Sequence, residues 1–153
     1  MIIKKDTKMV LFRFGKFWTD DFINEHLSII KTKDYVWLQK TGKKASAEKI
    51  NTVIDEGGYI IFKEPKNAGN KYFLGVFTEM RMDSPKDEAH CPPYYKNVRS
   101  YSEQWFKVVS IKPIGHNYIN SLILTQTGKK LTNIVDRTSS SFMFVQNSQE
   151  WEI

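Results

Sequence analysis

The chain of 153 residues contains a single cysteine, Cys91. One cysteine cannot form a disulfide within the chain, and no group of Cys and His residues has the spacing of a tetrahedral zinc site. We therefore expect neither a disulfide framework nor a structural metal ion.

Long apolar runs are also missing. No apolar stretch is long enough to cross a bilayer, and residues 1–6 lack the apolar segment of a secretory signal. We expect a soluble, cytoplasmic protein with no membrane contact. A content of 41% hydrophobic and 14% aromatic residues is enough to bury one core. We predict a single domain over residues 1–153, with 147–153 as a tail or linker.

Motifs for common enzyme chemistry are absent from the sequence. The Gly-Lys pairs at residues 42–43 and 128–129 lack the preceding glycine of a Walker A loop, because those positions hold Trp37 and Ile123. There is no Gly-x-Ser-x-Gly, no His-Glu-x-x-His and no dinucleotide fingerprint. We expect no cofactor, and a binding protein is favoured over an enzyme.

What the sequence does contain is an excess of positive charge. Lys and Arg number 23 against 17 Asp and Glu, a net charge of +6. A field of this sign attracts polyanions, so DNA or RNA is the predicted partner, although a lysine-rich surface can also serve solubility alone. The predicted phosphate-binding residues are Lys40, Lys43, Lys44, Lys96, Arg99, Lys129 and Lys130.

Hydrophobic periodicity predicts an α+β fold built mostly from antiparallel strands. The strands are expected at residues 8–15, 34–40, 59–63, 72–82, 103–111 and 141–145. One helix, with Thr19 at its N-cap and His26 on its buried stripe, is expected to end near Lys33, and a second follows Ser46. Three prolines make residues 83–102 a long loop. Short strands flanked by helices suggest a small barrel.

Aromatic residues on these strands and in the loop carry the functional hypothesis. A base removed from its stack can be held between aromatic faces while hydrogen bonds read its edge. The predicted base-binding residues are Trp37, Phe62, Tyr94 and Trp105. The alternative is that each fills the core, since small barrels pack their interiors with such side chains.

The segments Tyr-Val-Trp-Leu-Gln-Lys (35–40), Gly-Gly-Tyr-Ile-Ile-Phe (57–62) and Tyr-Phe-Leu-Gly-Val-Phe-Thr-Glu (72–79) resemble the PUA-like superfamily, especially its EVE and YTH branches. This resemblance implies a PUA-like barrel with an aromatic pocket for a modified or flipped base, in which Trp37 and Trp105 are walls. Some domains of this kind are specificity domains of modification-dependent restriction or defence systems. They act with an effector protein or a fused nuclease or motor domain.

Two other functions stay open. The ASCH branch of the same superfamily includes amidohydrolases of modified nucleosides, and Lys40, Thr41, Lys43 and Glu79 are similar in kind to their catalytic groups, although the Lys-to-Thr spacing differs. A protein-binding inhibitor from a mobile element would instead use the loop around Tyr94 and Tyr95.

Overall fold

A curved, mixed β-sheet with two flanking helices is the main feature of the computed structural model, which describes residues 1–15, 21–97 and 102–153. The strands are β1 (Ile2–Ile3), β2 (Lys8–Arg13), β3 (Val36–Thr41), β4 (Tyr59–Lys63), β5 (Tyr72–Arg81), β6 (Ser102–Ile114), β7 (Leu122–Leu124), β8 (Phe142–Asn147) and β9 (Trp151–Glu152). The helices are α1 (Phe22–Lys33), α2 (Ala47–Asp55) and α3 (His116–Ile119). The predicted α+β class is confirmed.

Seven strands form the main sheet in the order β3-β6-β5-β4-β2-β8-β7, and β1 pairs with β9 separately. Only the β2–β4 pair is parallel among these ladders. The edge strands β3 and β7 share no ladder in the described part of the chain, so closure into a barrel is not confirmed. The sheet is nevertheless curved, because Phe106 of β6 stacks on Phe142 of β8, with ring centroids 5.7 Å apart.

Both faces of the sheet are buried, and alternation along each strand assigns side chains to one face or the other. On β2, Val10 belongs to a first core with Phe62, Phe106 and residues of both α1 and α2. Its neighbour Leu11 belongs to a second core, which includes Ile119, Leu122 and Trp151. This double burial explains why β4 is apolar at successive positions.

The two long helices begin and end where their sequences favour it. Ser46 caps α2 as predicted, its Oγ accepting a hydrogen bond from the backbone N–H of Lys49 at 3.3 Å. Gly58 follows α2 with φ +68°, and a Cβ there would lie 2.0 Å from the carbonyl oxygen of Phe77. The predicted cap Thr19 lies outside the described residues, and α1 begins at Phe22.

Strand β5 passes close to another backbone at Gly75. A Cβ at this position would lie 3.0 Å from the carbonyl oxygen of Ser110 on the neighbouring strand β6. Pairing between β5 and β6 shifts register on both sides of Phe77. The strand β6, which was expected to end at residue 111, continues through Pro113 to Ile114.

Candidate functional site

Three aromatic side chains pack together on the outer face of strands β3 and β6. Trp37, Tyr95 and Trp105, hereafter the aromatic site, are 3%, 3% and 0% exposed. Gln39 lies directly opposite Trp105 across the β3–β6 ladder, so the two side chains share this face. The intervening residue Leu38 faces the first core. Alternation therefore separates the aromatic site from that core.

Residues 83–97, hereafter the cover loop, lie over the aromatic site and are attached through side chains. The indole N–H of Trp37 donates to both carboxylate oxygens of Asp87 at 2.9 Å, and the Tyr35 hydroxyl donates to the same carboxylate at 2.5 Å. The His90 ring stacks on Tyr35, with centroids 3.8 Å apart. Asp87 thus connects the cover loop to two side chains of this face.

The Asp87 attachment is a charged one. Burial opposes ionisation of this carboxyl, but the hydrogen bonds from Tyr35 and Trp37 outweigh it and hold the pKa of Asp87 below its usual range. The same hydrogen bond raises the pKa of Tyr35 to about 12. Near neutral pH the pair is therefore a carboxylate accepting from a neutral phenol, a charge-assisted hydrogen bond.

A buried chain of hydrogen bonds attaches the other end of the cover loop. His26 Nδ1 lies 2.7 Å from the carbonyl oxygen of Phe22, and its Nε2 lies 2.7 Å from the Tyr95 hydroxyl. That hydroxyl also accepts from the backbone N–H of Gln39 at 2.9 Å. The prediction that His26 lies on the buried stripe of α1 is confirmed, and both of its ring nitrogens have hydrogen-bond partners.

The partners of His26 determine where its proton lies. A carbonyl oxygen can only accept, so Nδ1 carries the proton and Nε2 accepts from the hydroxyl of Tyr95. Burial lowers the pKa of His26 to about 4, against a smaller opposing effect of the Phe22 carbonyl. The ring is therefore neutral, in agreement with the hydrogen bonds.

Two buried polar atoms on this face have no hydrogen-bond partner from the protein among the described residues. Within residues 1–15, 21–97 and 102–153, neither Nε1 of Trp105 nor Oε1 of Gln39 has a hydrogen-bond partner. A cavity of about 40 Å³, lined in part by Trp105, Tyr95 and Lys96, lies beneath the cover loop. This volume holds about one water molecule.

The structure separates the four predicted base-binding residues. Trp37 and Trp105 meet in the aromatic site, and Tyr94 packs at its border, perpendicular to Tyr95. Phe62 has no exposed surface and lies in the first core, so a base cannot contact its ring in this structure. The alternation of β4 places Phe62 on the face that the helices cover.

The predicted phosphate-binding lysines differ in exposure. Lys43, Lys44, Lys96, Lys129 and Lys130 are exposed. Lys40 is only 6% exposed, and its ammonium group donates to the carbonyl oxygen of Lys43, so it does not reach a phosphate here. Burial also lowers the pKa of Lys40. Arg99 lies outside the described residues.

Two cations that were not predicted as site residues lie beside the aromatic site. Lys107 Nζ is 4.2 Å from the ring centroid of Tyr35, and the Arg81 guanidinium is 5.9 Å from that of Trp37. The sequence could have predicted Lys107 at this position, because alternation along β6 places it on the same face as Trp105. The sequence could not predict the position of Arg81, because that position depends on the register shifts between β5 and β6.

The alternative catalytic set does not converge. Glu79 lies opposite Lys107 on the outer face of the sheet. Lys40 lies on the other face, beside Leu38, and its ammonium group is over the ring of Phe142. Thr41 and Lys43 are in the exposed turn after β3. A lysine nucleophile and this glutamate therefore cannot share a substrate in this arrangement.

Comparison with known proteins gives no family assignment: a scan against protein-family models, a search of curated proteins and a search of solved structures each found no match. The resemblance to the PUA-like superfamily therefore stays a prediction. Among the described residues, no helix has the length and apolar character to span a membrane. No cluster of potential metal ligands occurs in the same part of the chain.

Proposed function

We propose that the protein binds nucleic acid and reads a modified or flipped base at the aromatic site. The observation that carries this proposal is the pair of unsatisfied groups, the Trp105 N–H donor and the Gln39 carbonyl acceptor. An unsatisfied buried polar group costs about 1–3 kcal/mol, so a ligand that bonds to both recovers that free energy.

The arrangement of these two groups suits a base edge. Residues directly opposite each other on antiparallel strands have Cβ atoms about 5 Å apart, so donor and acceptor project from one small area of the sheet. Every base edge presents donors and acceptors side by side, and the neighbouring rings of Trp37 and Tyr95 offer faces for stacking.

Entry of a base requires the cover loop to move. The present cavity of about 40 Å³ is far too small for a base. The contacts that hold the loop at this point come from side chains, chiefly Asp87, His90 and Tyr95. Such contacts can be exchanged for ligand contacts without breaking a β-ladder.

The charge distribution supports a polyanionic partner. The protein carries a net charge of +6, and Arg81, Lys96 and Lys107 lie around the aromatic site. These cations would contact the phosphates on either side of the bound base, so affinity should fall as salt rises.

We infer a PUA-like barrel whose open side is bridged by side chains, in line with the contacts of Phe142 on β8 with Phe106 on β6 and Lys40 on β3. In that case the chain would be the specificity domain of a modification-dependent restriction or defence system, with a separate or fused nuclease or motor.

The test is a panel of modified and unmodified DNA and RNA oligonucleotides, titrated at two salt concentrations against wild type and Gln39→Met. Methionine keeps the length of the side chain but removes the acceptor. We expect Gln39→Met to weaken binding of the preferred base by about 1 kcal/mol or more. Its free energy of unfolding should be unchanged or higher, because an unsatisfied group is lost.

Phe62→Leu is the matched control, since Phe62 lies in the first core and away from the aromatic site. It should lower stability and leave affinity unchanged at a temperature where both variants are folded. Equal affinity of Gln39→Met and wild type for every oligonucleotide, or no binding by wild type even at low salt, would contradict the proposal.

A further inference from the structure

A second candidate surface is a groove of about 460 Å³ between helix α2 and strands β7 and β8, hereafter the seam groove. Its lining includes Lys8, Lys49, Thr52, Leu124, Phe142 and Phe144. It lies on the side of β8 that faces the first core, where the curved sheet remains open.

Two aromatic rings form the floor of the seam groove. Phe142 and Phe144 are both partly exposed and perpendicular to each other, with centroids 5.8 Å apart. Phe142 is supported from beneath by Phe106, onto which it stacks. The backbone of both phenylalanines pairs with β2, and their rings contact each other and Phe106, so the rings are held in position without a ligand.

The charged groups of the seam groove are cationic. Lys49 is exposed, and its ammonium group lies 5.5 Å from the ring centroid of Phe144. Lys8 donates to the Gln146 amide oxygen at 2.8 Å. No aspartate or glutamate is among the described residues that line the groove. A negatively charged ligand is therefore favoured.

We propose that the seam groove binds a single-stranded segment of nucleic acid, with one base stacked on Phe144 and phosphates contacted by Lys49 and Lys8. A cation over an exposed ring is weakly held, so a base can displace the Lys49 ammonium group, which then reaches a phosphate. Partly exposed rings between lysines match the alternation of bases and phosphates along a strand. A wholly apolar ligand would offer neither lysine a negatively charged partner.

This inference rests on the proposed function and extends it along the strand. Gln39 and Lys40 are adjacent on β3 but project to opposite faces, one towards the aromatic site and the other over Phe142. The exposed turn with Lys43 and Lys44 follows directly. A strand with one base in the aromatic site can thus pass this turn and continue into the seam groove.

The first experiment compares binding of single-stranded oligonucleotides of about 4 and about 12 nucleotides, each carrying the preferred base, by fluorescence anisotropy. We expect Phe144→Leu, which keeps apolar volume but removes the aromatic face, to weaken binding of the long oligonucleotide about fivefold or more. Binding of the short one should be unchanged. Phe144→Tyr, which keeps the ring, should bind both like wild type.

The second experiment tests whether the ammonium group of Lys49 contacts a phosphate. Lys49→Gln should reduce the slope of log affinity against log salt by about 0.7 for the long oligonucleotide, the value for one phosphate contact on a single strand. Lys33→Gln removes another exposed lysine, at the end of α1, and should leave the slope unchanged.

The outcomes separate this inference from the proposed function. If wild type binds and Phe144→Leu and Lys49→Gln bind the long oligonucleotide equally well, the seam groove is not a strand site, although base reading stands. If an acidic peptide competes there and no oligonucleotide does, the inference is wrong and the groove binds protein. If wild type binds no oligonucleotide of either length, the proposed function itself fails.

Discussion

His26 is the residue at which the first core meets the cover loop. It accepts from Tyr95, which in turn accepts from the backbone of the edge strand β3. This chain requires a neutral imidazole, because a protonated Nε2 could not accept from the hydroxyl. The ionisation of one side chain is therefore coupled to the packing of the loop.

The pH dependence of stability follows from this coupling. The pKa of His26 is about 4 in the folded protein against an ordinary value of 6.5, so the unfolded chain binds a proton that the folded protein does not. The stabilisation is complete above pH 6.5 and is lost as pH falls towards 4. We expect a loss of up to roughly 3 kcal/mol from this group, measured by urea unfolding across that range.

His26→Gln provides the comparison, since carboxyl groups also titrate in acid. Subtracting the pH profile of this variant from that of wild type isolates the histidine contribution. Parallel profiles between pH 4 and 6.5 would show that His26 titrates normally, and the neutral hydrogen-bond chain would then be wrong.

The cover loop encloses the aromatic site and is attached there by side-chain hydrogen bonds. Asp87 is its charged attachment, and hydrogen bonds to an ionised group contribute about 1.5–3 kcal/mol. We predict that Asp87→Ala increases the open population of the loop about tenfold or more. Faster acrylamide quenching of tryptophan fluorescence would report the opening. Apparent affinity for the preferred base should rise in proportion to the open fraction.

Asp83→Ala is the control for charge. Asp83 lies in the same loop but pairs with Arg81 at the surface, at 3.0 Å, and makes no contact with Trp37 among the interactions of the described residues. Both variants lose one negative charge, so a gain in affinity shared by the two would be electrostatic. Tighter binding and faster quenching confined to Asp87→Ala would indicate loop opening, and slower quenching would contradict it.

Much of this element order could be predicted from sequence, because β2, β3, β4, β5 and both long helices carry clear periodicity. The two-residue strands β1 and β9 could not, since a pair so short has no period. The sequence also could not show that Trp105 lies at the candidate site while Phe62 lies in the first core. Both faces of the sheet are buried, and only the cover loop distinguishes them.

The candidate site was only partly predictable for a related reason. Trp37 was predicted as a site residue, but it contacts the cover loop through Asp87, a residue with no distinguishing pattern around it. Lys40 was expected at a phosphate but projects into the core face, where its hydrogen bond to Lys43 depends on the conformation of the turn. A contact between residues distant in sequence determines the first outcome, and the local conformation of the turn determines the second.

For the whole molecule, the sheet joins two cores that share the same strands. Val10 contributes to the first core and Leu11 to the second, so disrupting one face of β2 disturbs the other. The second core includes residues close to both ends of the chain, because Ile3 of β1 pairs with Trp151 of β9. The aromatic site lies outside both cores and depends on this shared sheet for its geometry.

Trp151 tests whether the two cores unfold together. It is 1% exposed, and its indole N–H donates to the Ser121 hydroxyl at 2.7 Å. We expect Trp151→Ala to lower the free energy of unfolding by about 3–5 kcal/mol, and Trp151→Phe, which keeps most of the ring, to lower it less. In urea, circular dichroism and fluorescence of the remaining tryptophans should shift to the same lower midpoint. If fluorescence of the aromatic site kept its wild-type midpoint, the second core would unfold separately, and base binding would survive its loss.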